Sequence, residues 1–213
     1  ITHGLTVTPE MIIVKNRTAN SSTSGNWAVY HKDLTSGTYL ALDAANGETS
    51  WGTGTGEALF SSIGATTASV SNDALTSSIY LNYADNTGGF GDDDTYIGYF
   101  LASVAGYSKV GKYVGSGVSG KFIYTGFRPK FLLYFHSSSG GHSWGMMDDV
   151  REPYNPIQKE LYANQTLGDY TSSDVDFLSN GFRIHATGGH INQSGEDYIF
   201  YAVGQSSKYA NAR

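Results

Sequence analysis

The chain contains no cysteine. Disulfides and thiolate metal centres are thereby excluded, and stability must come from packing and sheet hydrogen bonds. Cations are scarce too, with 13 Lys and Arg against 19 Asp and Glu for a net charge of −6. No basic cluster is present to follow a phosphate backbone, so nucleic acid is not an expected partner. Long apolar runs are missing as well. The longest, over 96–107, is interrupted by Gly98, Ser103 and Gly106 and is too short to cross a bilayer, so membrane insertion is not expected. Lys-, Glu- and Ala-rich stretches are few, which leaves little material for long helices.

What the chain does have is rings and turn residues. Aromatics make up 14% of the sequence, with 16 Tyr, beside 27 Gly and many Ser, Thr and Asn. Large amphipathic rings suit half-buried strands, and small polar residues suit the turns between them. Thirteen of the acids are Asp, again a turn residue. The composition predicts an all-β protein.

An internal repeat divides the chain. Pro9 opens an apolar run that aligns with the one opened by Pro129, so that Ile12-Ile13-Val14 falls on Leu132-Leu133-Tyr134 at an offset of 120. Residues 26–31, led by Trp27, fall on 143–148, led by Trp144, at an offset of 117. Tyr96-Ile97-Gly98-Tyr99 falls on Tyr198-Ile199-Phe200-Tyr201 at 102. Copy one is longer by 18 residues in its middle, and the surplus is expected within 43–77. The fold predicted is two tandem antiparallel β-sandwich units, jelly-roll-like and related by duplication. The first copy covers 1–107, a linker 108–121, and the second copy 122–213. The Gly-Ser-Gly-Val-Ser-Gly stretch at 115–120 suggests that the linker is flexible.

Period and turn residues predict strands over 11–15, 27–31, 38–42, 78–83 and 95–104 in copy one. Copy two repeats them over 131–136, 143–147, 181–186 and 198–203. Residues 155–162 are the one helix candidate. Trp27 and Trp144, like Tyr96 and Tyr198, are expected to be the same internal ring in two superimposable sheets.

Catalytic signatures are weak. No window is read as the Gly-x-Ser-x-Gly of a nucleophile elbow, so serine hydrolysis is unsupported. The Gly-rich run at 52–56 ends on Glu57, which would repel a phosphate, and reads as a loop. Paired carboxylates for glycoside hydrolysis come down to Asp174 and Asp176, at the two-residue spacing of one strand face. No cofactor is required. Asp92, Asp93 and Asp94 offer oxygen ligands for a calcium ion. The six histidines show no spacing that presents two metal ligands together, although His136 and His142 flank one loop and could approach each other. Trp51, in the polar insertion of copy one, and Tyr170, in the matching loop of copy two, are the ligand or interface candidates, since an exposed ring needs a partner.

These segments resemble a repeated domain of tailed-phage virion proteins, mostly from marine phages, found in tail fibres and appendages and described as concanavalin-like or of unknown function. The likeness runs through Val7-Thr8-Pro9-Glu10-Met11-Ile12, Asn26-Trp27-Ala28-Val29-Tyr30-His31 and Val104-Ala105-Gly106-Tyr107-Ser108-Lys109. In copy two it includes Pro153-Tyr154-Asn155-Pro156 and the terminal Lys208-Tyr209-Ala210-Asn211-Ala212-Arg213. The resemblance implies a non-catalytic component of the particle exterior, a tail fibre, appendage or capsid decoration, with an anchoring part on its N-terminal side. Its partners would be other virion proteins and copies of itself, most naturally as a trimer. The first alternative is an adhesin tip that binds a host-surface glycan or protein. The second is a glycan depolymerase using Asp174 and Asp176.

Overall fold

The computed structural model describes residues 2–17, 26–50, 60–61, 63–66, 68–70 and 96–205. Trp51, the Gly-rich run at 52–56, the strand expected over 78–83, Asp92, Asp93, Asp94 and the terminal 208–213 lie outside them. The chain forms two compact units, Ile1–Ala102 and Ser103–Arg213. The described residues of each form mainly antiparallel strands and the turns between them.

Unit one contains β1 (Met11–Asn16), β2 (Ala28–His31), β3 (Thr38–Ala41), β4 (Thr49–Ser50) and β7 (Tyr96–Leu101) in a sheet of order β4-β3-β2-β1-β7. A small pair, β5 (Phe60–Ser61) and β6 (Ser69–Val70), lies in the same unit. Alternation sends Ile12 and Val14 to one face, where they meet Ala28, Tyr39, Phe60 and Ala68 in a core. Phe60 thus packs β5 over the sheet.

Unit two contains β8 (Ser108–Val114), β9 (Lys121–Tyr124), β10 (Pro129–His136), β11 (Gly145–Asp148), β12 (Ile157–Tyr162), β13 (Tyr170–Leu178), β14 (Gly181–Ile184), a one-turn helix α1 (Gly189–Asn192) and β15 (Asp197–Gly204). Its sheet runs β8-β15-β10-β11-β12-β13-β14-β9. The register shifts between β12 and β13, and the sheet folds over there. Phe182 of β14 thereby meets Phe200 of β15 edge-on, with ring centroids 5.4 Å apart. The result is one sheet folded over so that its two halves pack face to face, sandwich-like, around Leu132, Tyr134, Phe177, Phe182, Tyr198 and Phe200.

The duplication holds residue by residue. Ile12 pairs with Tyr30 and Phe100 in unit one. At the aligned positions of unit two, Leu132 pairs with Met147 and Ala202. The match extends beyond the segments read from sequence. Ala28 pairs with Ala41 and Gly145 with Tyr162; Tyr39 pairs with Thr49 and Glu160 with Tyr170. Even the corner bonds recur. The Trp27 amide donates to Asp43 Oδ1 and its carbonyl accepts from Leu42 at 3.0 and 2.9 Å. Trp144 does the same with Asn164 and Ala163, both at 3.0 Å. β3 and β4 are therefore the counterparts of β12 and the start of β13. Since Ser50 answers to Thr171, the extra length of copy one falls after Ser50, and residues 43–50 of the expected range are not part of it.

Four expectations need correction. Residues 157–162 of the helix candidate are strand β12, because pairing on both sides by β11 and β13 outweighs the helix preference of Gln158-Lys159-Glu160-Leu161. The supposed linker is strand β8 and a fixed turn of unit two. Buried Asn192 accepts from the Ser116 amide at 2.8 Å and donates to the Val118 carbonyl at 3.0 Å. Gly117 sits at φ 69°, and a Cβ there would meet Ser194, so this Gly-rich stretch is shaped for close packing. The third concerns the tryptophans. Trp144 is 1% exposed and stacks on Phe135 at 4.5 Å, whereas Trp27 is half-buried and lies 6.4 Å from Tyr99. Lys15 occupies the Phe135 position, so the same backbone site has different surroundings. Finally, Tyr170 begins a strand and is not in a loop.

Trp144→Ala is expected to cost unit two about 3–5 kcal/mol. Trp27→Ala, with less area buried, costs unit one clearly less. Chemical denaturation followed by tryptophan and tyrosine fluorescence measures both, and equal losses would contradict the different environments described above.

Candidate functional site

The site is built where β10, β11 and β12 run side by side. Tyr134 on β10 and Glu160 on β12 are both fully buried. Between them stands Gly145, and a Cβ at that position would collide with the Glu160 carboxylate and the Tyr134 ring. Its absence lets the Tyr134 hydroxyl donate to Glu160 Oε1. The other carboxylate oxygen lies 3.2 Å from the Tyr162 hydroxyl and 3.0 Å from His190 Nε2. A buried carboxylate is tolerable only when it is matched by donors of this kind. The His190 ring stacks on Tyr134 with centroids 5.9 Å apart.

His190 comes from α1, a helix with no side-chain cap. It is held instead from below. The Tyr113 hydroxyl donates to the Ile191 carbonyl at 2.8 Å, and the Tyr198 hydroxyl donates to the Gly189 carbonyl at 3.1 Å while accepting from the Gln193 amide at 2.9 Å. Burial, followed by the nearby Tyr198 and Glu160, pushes the Tyr113 hydroxyl well above its ordinary range, so it remains a donor at neutral pH.

Above this floor opens a cleft of about 500 Å³, lined among others by His142, Tyr162, Gln165, Leu167, Tyr170 and His190. Tyr162 and Tyr170 stand 5.9 Å apart at 43°. Tyr170 and Leu167 are at least half exposed. Among the described residues no Lys, Arg or Asp lines the cleft, and those that do line it offer ring faces, amide and hydroxyl groups.

The model of the family described as Domain of unknown function (DUF7483) matches residues 1–206. The chain belongs to that family. No curated protein and no solved structure matches it.

In this DUF7483 chain the structure brings Tyr170, expected from sequence, into the cleft. It also brings His136 and His142 together, their rings 4.4 Å apart, with His136 Nε2 3.3 Å from Glu196. Among the described residues no group of three His, Asp or Glu side chains could hold a metal ion. Asp176 is bound to His185 at 2.8 Å, and the Asp174 side chain is outside the described residues. One reading of the motifs is corrected: Gly141-His142-Ser143-Trp144-Gly145 does spell Gly-x-Ser-x-Gly. The elbow itself is missing, because Ser143 leads into a strand and not from a strand into a helix. Its hydroxyl accepts from the amides of Gln165 and Asn164, and no imidazole bonds it among the described residues. Sequence reasoning missed Tyr134, Glu160, Tyr162 and His190. Only the exchange of Tyr39 for Glu160 between the aligned copies could have revealed them.

Two measurements test this geometry. Gly145→Ala is expected to destabilise unit two by about 1–3 kcal/mol through overpacking, read as a lower midpoint in denaturant. His142 has its pKa lowered by burial, then by His136 and His190, with Glu196 opposing. A histidine held neutral in the fold lets the unfolded chain bind more protons as pH falls, so stability drops below about pH 6.5 and continues to drop until the folded pKa is passed. His142→Gln is expected to flatten that part of the thermal-melting profile.

Proposed function

We propose that the chain is a non-catalytic component of the exterior of a tailed-phage particle, a scaffold of two repeated units within a fibre, appendage or decoration. The observation that carries this reading is the register repeated pair for pair between the two units. Duplicating a sheet in this way multiplies a scaffold and its surfaces, and among the described residues no constellation of reactive side chains is duplicated with it. The ionisable groups of unit two support the same view. Glu160 is engaged by Tyr134, Tyr162 and His190, and Asp176 by His185. The resemblance to virion domains supplies the setting, and copies of the chain and other particle proteins are its proposed partners.

A second reading, attachment to a host-surface glycan, is favoured by the cleft. Paired tyrosine faces with amide and hydroxyl groups at their rim suit a neutral sugar ring, which has an apolar face and hydroxyls at its edge. The residues to test are Tyr162 and Tyr170.

Surface biotinylation of intact particles from the phage that encodes the chain, followed by mass spectrometry, is expected to label its lysines without disrupting the particle. A chain missing from purified particles, or labelled only after disruption, would remove the first reading. Tyr170→Ala is expected to lower retention of the isolated protein on host cells or a glycan array without lowering its melting temperature. Equal retention by both proteins counts against the cleft.

A further inference from the structure

The two sheets share five strands in the same order, and among the described residues unit one has no counterpart of β14 and β9 beyond β4 or of β8 beyond β7. β7 answers to β15, β1 to β10, β2 to β11, β3 to β12 and β4 to β13. In unit two another strand follows: β8 lies along the outer edge of β15 through seven residue pairs, Asp197 with Val114 to Val203 with Ser108. In unit one β7 is the edge, and among the described residues no strand pairs with its outer side. Yet the letters that receive β8 are kept. Tyr198-Ile199-Phe200-Tyr201 becomes Tyr96-Ile97-Gly98-Tyr99, and the ring lost at Phe200 is replaced from two positions on, where Phe100 leans over Gly98.

An exposed edge is a template for another chain, and natural proteins guard it with lysine, proline, inward charges or a bulge. β7 has none of these. Its six residues, Tyr-Ile-Gly-Tyr-Phe-Leu, carry no charge, its register with β1 is unbroken, and Tyr99 is 46% exposed. An uncharged edge of this kind, with no bulge, is expected to be covered in the working assembly.

We propose that the outer edge of β7 is a docking site for an antiparallel strand of the β8 pattern, supplied by a neighbouring copy of the repeat. β8 itself is the precedent: it follows β7 after a short turn and completes the sheet of the next unit. By the same register the incoming strand sets its Val110-like residue opposite Tyr99, its cation, the counterpart of Lys112, opposite Ile97, and its aromatic, the counterpart of Tyr113, opposite Tyr96. Main-chain bonds provide the attachment and the alternate side chains its selectivity. None of this depends on where the protein resides.

The probe is a synthetic peptide of residues 103–115, added to the intact chain while amide exchange is followed by mass spectrometry. Slower exchange over 96–101, with 197–204 unchanged, is the expected result. Peptides N-methylated at alternate residues should divide into one set that loses the effect and one that keeps it, the signature of strand pairing. An unchanged rate over 96–101 overturns the proposal. So does protection that is already present without peptide, whether it is independent of protein concentration or grows with it as β7 pairs with β7 of a second copy.

Discussion

Two stacked tyrosines under α1 hold the candidate site in place. Tyr113 and Tyr198 lie face to face, with centroids 5.0 Å apart and planes within 7°, and their hydroxyls satisfy backbone groups of a helix too short to be stable alone. With the buried Ile191 and the bonds of Asn192, they fix His190 above Glu160. The stack is in turn fixed by the sheet, because β8 and β15 are hydrogen-bonded neighbours and Tyr113 stands directly opposite Tyr198. The strand that closes the edge of unit two is therefore also the strand that supports its cleft. Core packing, helix placement and site geometry are linked through one cross-strand pair.

Comparison of the two units shows how a polar site arises within an apolar scaffold. At three adjoining positions unit one has Val14, Ala28 and Tyr39, all buried. Unit two has Tyr134, Gly145 and Glu160, also buried. The ring has moved from the third strand to the first, the alanine between them has lost its methyl group, and a carboxylate occupies the place the ring left. These changes are coupled, since the tyrosine and the carboxylate meet where an alanine Cβ would stand. Volume is roughly conserved across the set, which is how a core tolerates such an exchange.

Most of the fold was legible in sequence because its strongest signals are local. Proline before an apolar run, a tryptophan leading a strand and the Tyr-Ile-x-Tyr segment marked β1, β10, β2, β11, β7 and β15. What escaped was decided by tertiary context. β12 carries helix-forming letters and becomes a strand through its neighbours, and β8 hid in a stretch whose glycines suggested slack. The site escaped for a related reason. Glu160 stands in a polar run that reads as surface, and His190 is separated from it by 30 positions, so only the folded sheet brings them together. Tyr170 was legible because an aromatic residue in polar surroundings is conspicuous without any coordinates.

Glu160 gives the strongest reason to regard the cleft as functional. Moving a carboxylate out of water costs several kcal/mol before its partners respond, and three hydrogen bonds to neutral or imidazole donors do no more than offset that cost. Unit one places a buried tyrosine ring at the equivalent position. At that position unit two has a carboxyl group whose hydrogen bonds come from Tyr134, Tyr162 and His190. What the exchange does produce is a fixed imidazole and a fixed phenol at the floor of an open cleft, each oriented by the buried carboxylate rather than by water. Pre-oriented polar groups under exposed rings lower the ordering cost of binding, and that advantage exists only if something enters the cleft.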